Sequence, residues 1–142
     1  KLMLMLFKTL VIFKRESDAV IIKSYLTKFQ EIKLQLSLGQ FPQIWSTPEV
    51  NKTYVNLEIR NNFFQQYNEY QGVEREIRRL VSVLIPVCYL EGYKSTVEQA
   101  DKLPWPYKPK FIYTSNSFGS DEIFRFWTAK KSESGIPYTR SK

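Results

Sequence analysis

Between Phe111 and Thr139 the chain changes its periodicity twice, and this double change restricts the fold more than any other feature. Phe111-Ile112-Tyr113-Thr114 is a β-rich run, and Ser115-Asn116-Ser117-Phe118-Gly119 is a polar turn. Ser120-Asp121-Glu122 starts a helix with its acids at the positive end. Ile123, Phe124, Trp127 and Lys130 then line one side of that helix, and Gly135 ends it. Ile136-Pro137-Tyr138-Thr139 opens a further strand, with its proline near the start, where it is tolerated. Strand, capped helix and strand in close succession predict a βαβ unit with parallel strands.

A second such pattern lies upstream. Asp18 leads into Ala19-Val20-Ile21-Ile22, a β-branched run suited to a buried strand. Thr27-Lys28-Phe29-Gln30 has capping-box spacing. Phe29, Ile32 and Leu36, joined by Leu34 and Leu38, predict the buried face of the helix that follows, and Gly39 its end.

The intervening chain is less regular. Pro42 and Pro48 interrupt any helix, and Thr53 to Ile59 alternates weakly, like a strand. The Asn- and Gln-rich stretch Asn61 to Gln71 keeps enough aromatics (Phe63, Phe64, Tyr67, Tyr70) to belong to a fold. From Val73, the residues Ile77, Leu80, Val81, Leu84 and Ile85 repeat at helical spacing until Pro86. Ser95-Thr96-Val97-Glu98 reads as a second capping box. Lys102 to Pro109 carries prolines on both sides of Trp105 and reads as a rigid connector. The opening Leu2 to Phe13 resembles a signal peptide, but Lys8 interrupts it and no small-residue cleavage site follows, so a buried helix is expected there. The predicted division is a helix-rich α/β part over 1–103, a connector over 104–110, and the start of a further βαβ unit over 111–142. Lys1 stands where an initiator methionine would be, so the chain reads as an interior piece of a soluble protein.

Composition narrows the chemistry. The 142 residues include no histidine, which excludes a Ser-His-Asp triad, a Cys-His pair or a histidine-bound metal built from this chain alone. A single cysteine, Cys88, excludes an internal disulfide and a thiolate zinc cluster, and its apolar surroundings suggest an inert core residue. The excess of 21 Lys and Arg over 14 Asp and Glu, a net +7, is spread along the chain in short groups. That spread suits a solvated surface, phosphate-bearing ligands or an anionic membrane surface, and no nucleic-acid-binding fingerprint accompanies it. No metal or cofactor is expected.

In open α/β sheets, ligands sit beyond the carboxyl ends of the strands. That rule selects Thr114, Ser115, Asn116 and Ser117, with the helix start near Ser120. Their hydroxyls, amide and free N–H groups can hold a phosphate or a sugar, or they can serve as an ordinary helix cap and turn. The turn is neither a dinucleotide-binding fingerprint nor a P-loop. Glu122 and its neighbour Asp121 are candidate general bases, although acids in a first helical turn are common for dipole reasons. The tyrosines and tryptophans could stack on sugars or bases, and core packing is the favoured use.

Three blocks of this sequence resemble a family of transferases from bacterial surface-polysaccharide gene clusters. One is Phe111 to Phe118, Asp121 to Phe124, Trp127 to Lys131 and Gly135 to Tyr138; the others are Tyr25 to Gln43 and the lead-in Trp105-Pro106 with Lys108-Pro109-Lys110. Together they span roughly residues 20–45 and 103–138. The resemblance implies a glycosyltransferase-like architecture of two Rossmann-like halves facing a cleft (a GT-B-like fold). It also implies a nucleotide-activated sugar as donor, a glycan as acceptor, and a cytoplasmic location. In such relatives a His-Gly-Asn-type motif follows the segment ending at Tyr138; here Thr139-Arg140-Ser141-Lys142 stands instead. The expectation is therefore a parent transferase, with the 142-residue piece inactive alone. No residue is singled out as its catalytic base. The alternative is a non-catalytic basic α/β module that docks on nucleic acid or an anionic surface, and peripheral membrane association is compatible with either reading.

Overall fold

A computed structural model describes residues 14–64 and 70–140. The helix expected over Leu2 to Phe13 lies outside the described residues, as do residues 65–69 of the Asn- and Gln-rich stretch. Three short strands form one parallel sheet in the order β1 (Val20–Ile22), β2 (Ile112–Thr114), β3 (Tyr138–Arg140). Val20 pairs with Ile112 and Ile22 with Thr114, and on the other side Ile112 pairs with Tyr138. Helices α1 (Lys28–Ser37), α2 (Leu57–Phe64), α3 (Gly72–Leu84) and α4 (Tyr93–Asp101) lie between β1 and β2. The short α5 (Ser117–Ser120) and α6 (Glu122–Glu133) connect β2 to β3. The chain is thus α/β, and the strand–helix–strand expected over 111–139 is present with its strands parallel.

The core lies between the sheet and the packed pair α4 and α6. Val20, Ile112, Ile123 and Phe124 are fully buried. Trp105, in the proline-rich segment, sets the arrangement. Its ring lies edge-on to Trp127 at 4.8 Å and contacts Trp45 at 6.2 Å and Phe124 at 6.3 Å. Such aromatic pairs add to the area they bury, and the prolines on both sides hold the ring in place at little entropic cost. All three tryptophans are core residues, whereas Tyr25, Tyr54 and Tyr107 are exposed. The side that α6 buries is Ile123, Phe124, Trp127 and Thr128; Lys130 is exposed and pairs with Asp101. Its position, three residues after Trp127, carries it to the edge of the buried stripe, where an ammonium reaches water.

Two glutamines do the work of backbone. The Gln40 side-chain amide accepts from the Ala19 N–H at 2.7 Å and donates to the Ala19 C=O at 3.0 Å, on the edge of the sheet away from β2. Gln35 treats Gln43 in the same way, accepting from its N–H at 2.7 Å and donating to its C=O at 3.0 Å. Hence the buried position of α1 is Gln35, while Phe29 and Leu36, expected on the inner face, are exposed. A buried amide with both ends bonded satisfies loop backbone that an apolar side chain would leave orphaned. The ends of α1 match the sequence: Thr27 and Gln30 form the capping box, and Gly39 follows with φ +71°.

Three further expectations are corrected. Residues 53–56 are irregular and 57–64 are helical, so the weak alternation from Thr53 to Ile59 is not a strand. Asn56 supplies the local reason: its side chain accepts from Ile59 N–H, a helix-start hydrogen bond. The segment Ser95 to Glu98 does not cap; α4 starts at Tyr93, and the buried Thr96 hydroxyl donates back to the Gly92 C=O at 2.9 Å. Cys88 is only partly buried, in a 3₁₀ turn after Pro86, and burial together with the Glu122 charge pushes its thiol up, toward the protonated form.

A buried ion pair ties α2 to the turn before α4, and its arginine also holds the end of α3. Arg60 meets Glu91 through Nε at 2.6 Å and Nη2 at 2.9 Å, and its Nη atoms donate to the C=O groups of Ser82, Val83 and Ile85. One guanidinium thus satisfies carbonyls at the end of α3 that have no partner within the helix. The Arg60 hydrogen bonds hold the Glu91 carboxyl at about 2, against an ordinary 4.5, although burial acts the other way. A carboxyl lowered on folding contributes stability that is fully present above about 4.5 and is lost as the pH falls toward about 2. Glu91→Gln is therefore expected to be less stable than the parent chain at pH 7 in urea unfolding, with the gap narrowing through that acid window. A gap independent of pH would refute the assignment.

Candidate functional site

The carboxyl ends of β1 and β2 lie side by side, because Ile22 and Thr114 are paired. Each strand is followed at once by polar residues. After β1 come Lys23, Ser24 and Tyr25; after β2 come Ser115, Asn116 and the start of α5. Ser115 joins the two, its Oγ accepting from the Tyr25 N–H at 3.2 Å. Ser24 donates to Glu31 of α1 and accepts from the Leu26 N–H, so the loop after β1 is tied to the helix it feeds.

Lys23 has φ +45°, a left-handed conformation that is costly for a residue with a Cβ. Its ammonium reaches Asp121 Oδ2 at 2.9 Å across the strand ends. The same oxygen accepts from the Thr47 hydroxyl, while Oδ1 accepts from Phe124 N–H at 3.0 Å and caps α6. The buried Asp121 therefore gathers the β1 loop, the Trp45-containing segment and the helix start at one carboxylate. With both oxygens occupied, it acts as a clamp. Lys23 keeps 45% of its side chain in solvent, which leaves the ammonium able to take a further anionic partner.

The candidates from the strand-end rule divide by exposure. Thr114, Ser115 and Ser117 are buried: Thr114 Oγ1 accepts from the Ser117 N–H at 3.0 Å, and Ser117 Oγ has no hydrogen-bond partner among the described residues. Asn116 is exposed at the N-terminal cap position of α5, and its side chain makes no cap hydrogen bond. Ser120 is exposed immediately before Asp121. Glu122 is half-buried at the first position of α6, where Tyr89 donates to it at 2.6 Å and Arg125 at 3.0 Å. Arg125 also donates to Tyr89 Oη at 2.7 Å and to the Phe118 C=O at 2.6 Å. Hydrogen bonding to Glu122 pushes the Tyr89 hydroxyl up, so it stays a donor.

No motif in the sequence singles out Lys23, Thr47, Tyr89 or Arg125. The signal for Lys23 was there, since the strand-end rule applies to β1 as much as to β2. Among the described residues no group of His, Cys, Asp or Glu could hold a metal ion. The arrangement can bind: it offers an exposed amide, a hydroxyl and an ammonium beside a capped helix start.

Asp121→Ala removes a helix cap and two side-chain bonds, and is expected to cost about 2 kcal/mol of unfolding free energy in urea. A change below about 0.5 kcal/mol, the range of ordinary surface substitutions, would show that Asp121 does not hold the strand ends together.

No curated protein matches this chain, and no solved structure does. A family model does: residues 1–140 match the one described as LIC12162 family transferase. The match runs through both strand–helix units and the whole carboxyl edge between them, and the chain belongs to the LIC12162 family of transferases.

Proposed function

We propose that the protein of which this chain is part transfers a sugar from a nucleotide-activated donor during assembly of a surface polysaccharide. The observation that carries this reading is the polar shelf at the carboxyl edge of a parallel sheet, made by Asn116, Ser120 and the half-exposed ammonium of Lys23, in a chain of a transferase family. A nucleotide-sugar needs a cation or N–H groups for its diphosphate and neutral hydrogen-bonding groups for its hydroxyls. Lys23 supplies the first, while Asn116 and Ser120 supply the second without any change of protonation. The reaction is attack by an acceptor hydroxyl on the anomeric carbon of the donor. The new glycosidic C–O bond replaces the bond to the nucleotide diphosphate, which leaves with the electron pair, and the acceptor proton passes to a base. Binding of this kind fits the two-halved, GT-B-like cleft that the sequence resemblance implies, with Thr114, Ser115 and Ser117 supporting the shelf and Glu122 at its margin.

Asn116→Ala tests this reading. Because the side chain makes no cap bond, the variant is expected to keep the thermal unfolding temperature of the parent chain. Titration with a panel of nucleotide-sugars by calorimetry is expected to show saturable binding of one of them, weakened about five- to hundredfold by the substitution. Unchanged affinity in the variant would remove Asn116 from the site. Binding of any polyanion, steeply weakened by salt, with no selective nucleotide-sugar binding, would favour a basic docking module over a transferase.

A further inference from the structure

The loop after β1 is fixed residue by residue, yet the largest side chain on it is free. Lys23 is held to Asp121 at 2.9 Å and has a left-handed φ of +45°. The Ser24 hydroxyl donates to Glu31, the Tyr25 N–H donates to Ser115 Oγ at 3.2 Å, and the Leu26 N–H donates back to Ser24. Strained backbone of this kind persists where its surroundings over-determine it, and it gathers at ligand clamps. The Tyr25 side chain takes no part in the fixation. The residue is 76% exposed, and among the described residues its hydroxyl makes no hydrogen bond and its ring no stacking contact. Tyr107 is exposed as well, but the Lys131 ammonium lies over its ring at 4.4 Å, at the end of α6 remote from the strand ends.

We infer, on the reading that this edge binds a nucleotide-sugar, that the Tyr25 ring is the platform on which the base of the donor stacks. Every base has a π face, and an aromatic side chain receives it without reading its hydrogen-bonding edge. The neighbouring groups suit the rest of the same ligand. Lys23 lies two residues before Tyr25, at most about 7 Å along the chain, and its ammonium crosses to Asp121, the neighbour of Ser120. A nucleotide-sugar carries its base and its sugar at opposite ends of the diphosphate. Tyr25 stands on the β1 side of that ammonium for the base, and Asn116 and Ser120 stand on the β2 side for the sugar. Because the loop is already held at each residue, binding costs little ordering beyond the two side-chain torsions of the ring.

The test is calorimetric titration of the 142-residue chain with uridine, guanosine and thymidine diphosphates, and with pyrophosphate, which has no base. One nucleoside diphosphate is expected to bind saturably. Tyr25→Ala is expected to weaken it about five- to hundredfold, while Tyr25→Phe keeps the affinity of the unsubstituted chain. Pyrophosphate, bound more weakly or not at all, is expected to give the same result with Tyr25→Ala as with the unsubstituted chain. The bond to Ser115 uses the backbone of Tyr25, so Tyr25→Ala is expected to unfold at an unchanged temperature. Equal affinity of Tyr25→Ala for the nucleoside diphosphate, while Asn116→Ala still weakens a nucleotide-sugar, overturns the stacking role and leaves the transferase reading standing. A matching loss of pyrophosphate affinity overturns it as a general distortion of the loop. A loss confined to nucleotide-sugars overturns it by putting the sugar on the ring. If neither a nucleoside diphosphate nor a nucleotide-sugar binds the unsubstituted chain, both readings fall together.

Discussion

Strands of three residues make too few ladder hydrogen bonds to hold a parallel sheet together, and parallel pairing is slightly the weaker kind. The sheet therefore depends on what is packed against it and on what ties its ends. The packing is aromatic and centres on Trp105, which reaches residues before α2 and on α6 at once. The tie is Asp121, whose two oxygens receive a lysine after β1, a threonine from the segment after Trp45, and a backbone N–H of α6. Removing the tie would leave three short strands with few ladder bonds, the Ser115–Tyr25 hydrogen bond and side-chain packing.

That dependence explains which parts of the fold are legible in the sequence. The unit from Phe111 to Thr139 is legible because its determinants are local: a cap at Asp121, a positive-φ glycine at Gly135, and a proline at the mouth of β3. The capping box of α1 is legible for the same reason. The inner face of α1 is not. Counting apolar residues assigns Phe29 and Leu36 to the interior, whereas the segment after Gly39 needs hydrogen-bond partners, and Gln35 supplies them. Sequence periodicity measures burial of hydrocarbon and is blind to backbone that must be satisfied at a distance. The Thr53 to Ile59 alternation misleads because the Asn56 cap starts a helix there, which Arg60 then anchors to Glu91, 31 residues away.

The candidate site is half legible. The strand-end rule leads directly to Asn116 and Ser120, and the structure leaves both open to solvent. The same rule names Thr114, Ser115 and Ser117, which are buried. Lys23 stands where the same rule points after β1, but its residue type alone does not reveal its role. Its strained backbone and its reach to Asp121 exist only once β1 and β2 are adjacent. Sites on loops between paired strands are legible to the extent that their residues are consecutive.

The Gln40 amide has a consequence for how this sheet can grow. By occupying both the N–H and the C=O of Ala19, it fills the position where another chain's backbone would begin to zip onto the outer margin of β1. A stray strand arriving there meets a side chain already hydrogen-bonded in its place and must displace it before it can gain a single rung. Natural sheets often keep such margins unattractive with lysine, proline or a bulge. Here an uncharged side chain does so by mimicry, through hydrogen bonds that neither titrate nor depend on a charge that salt could screen.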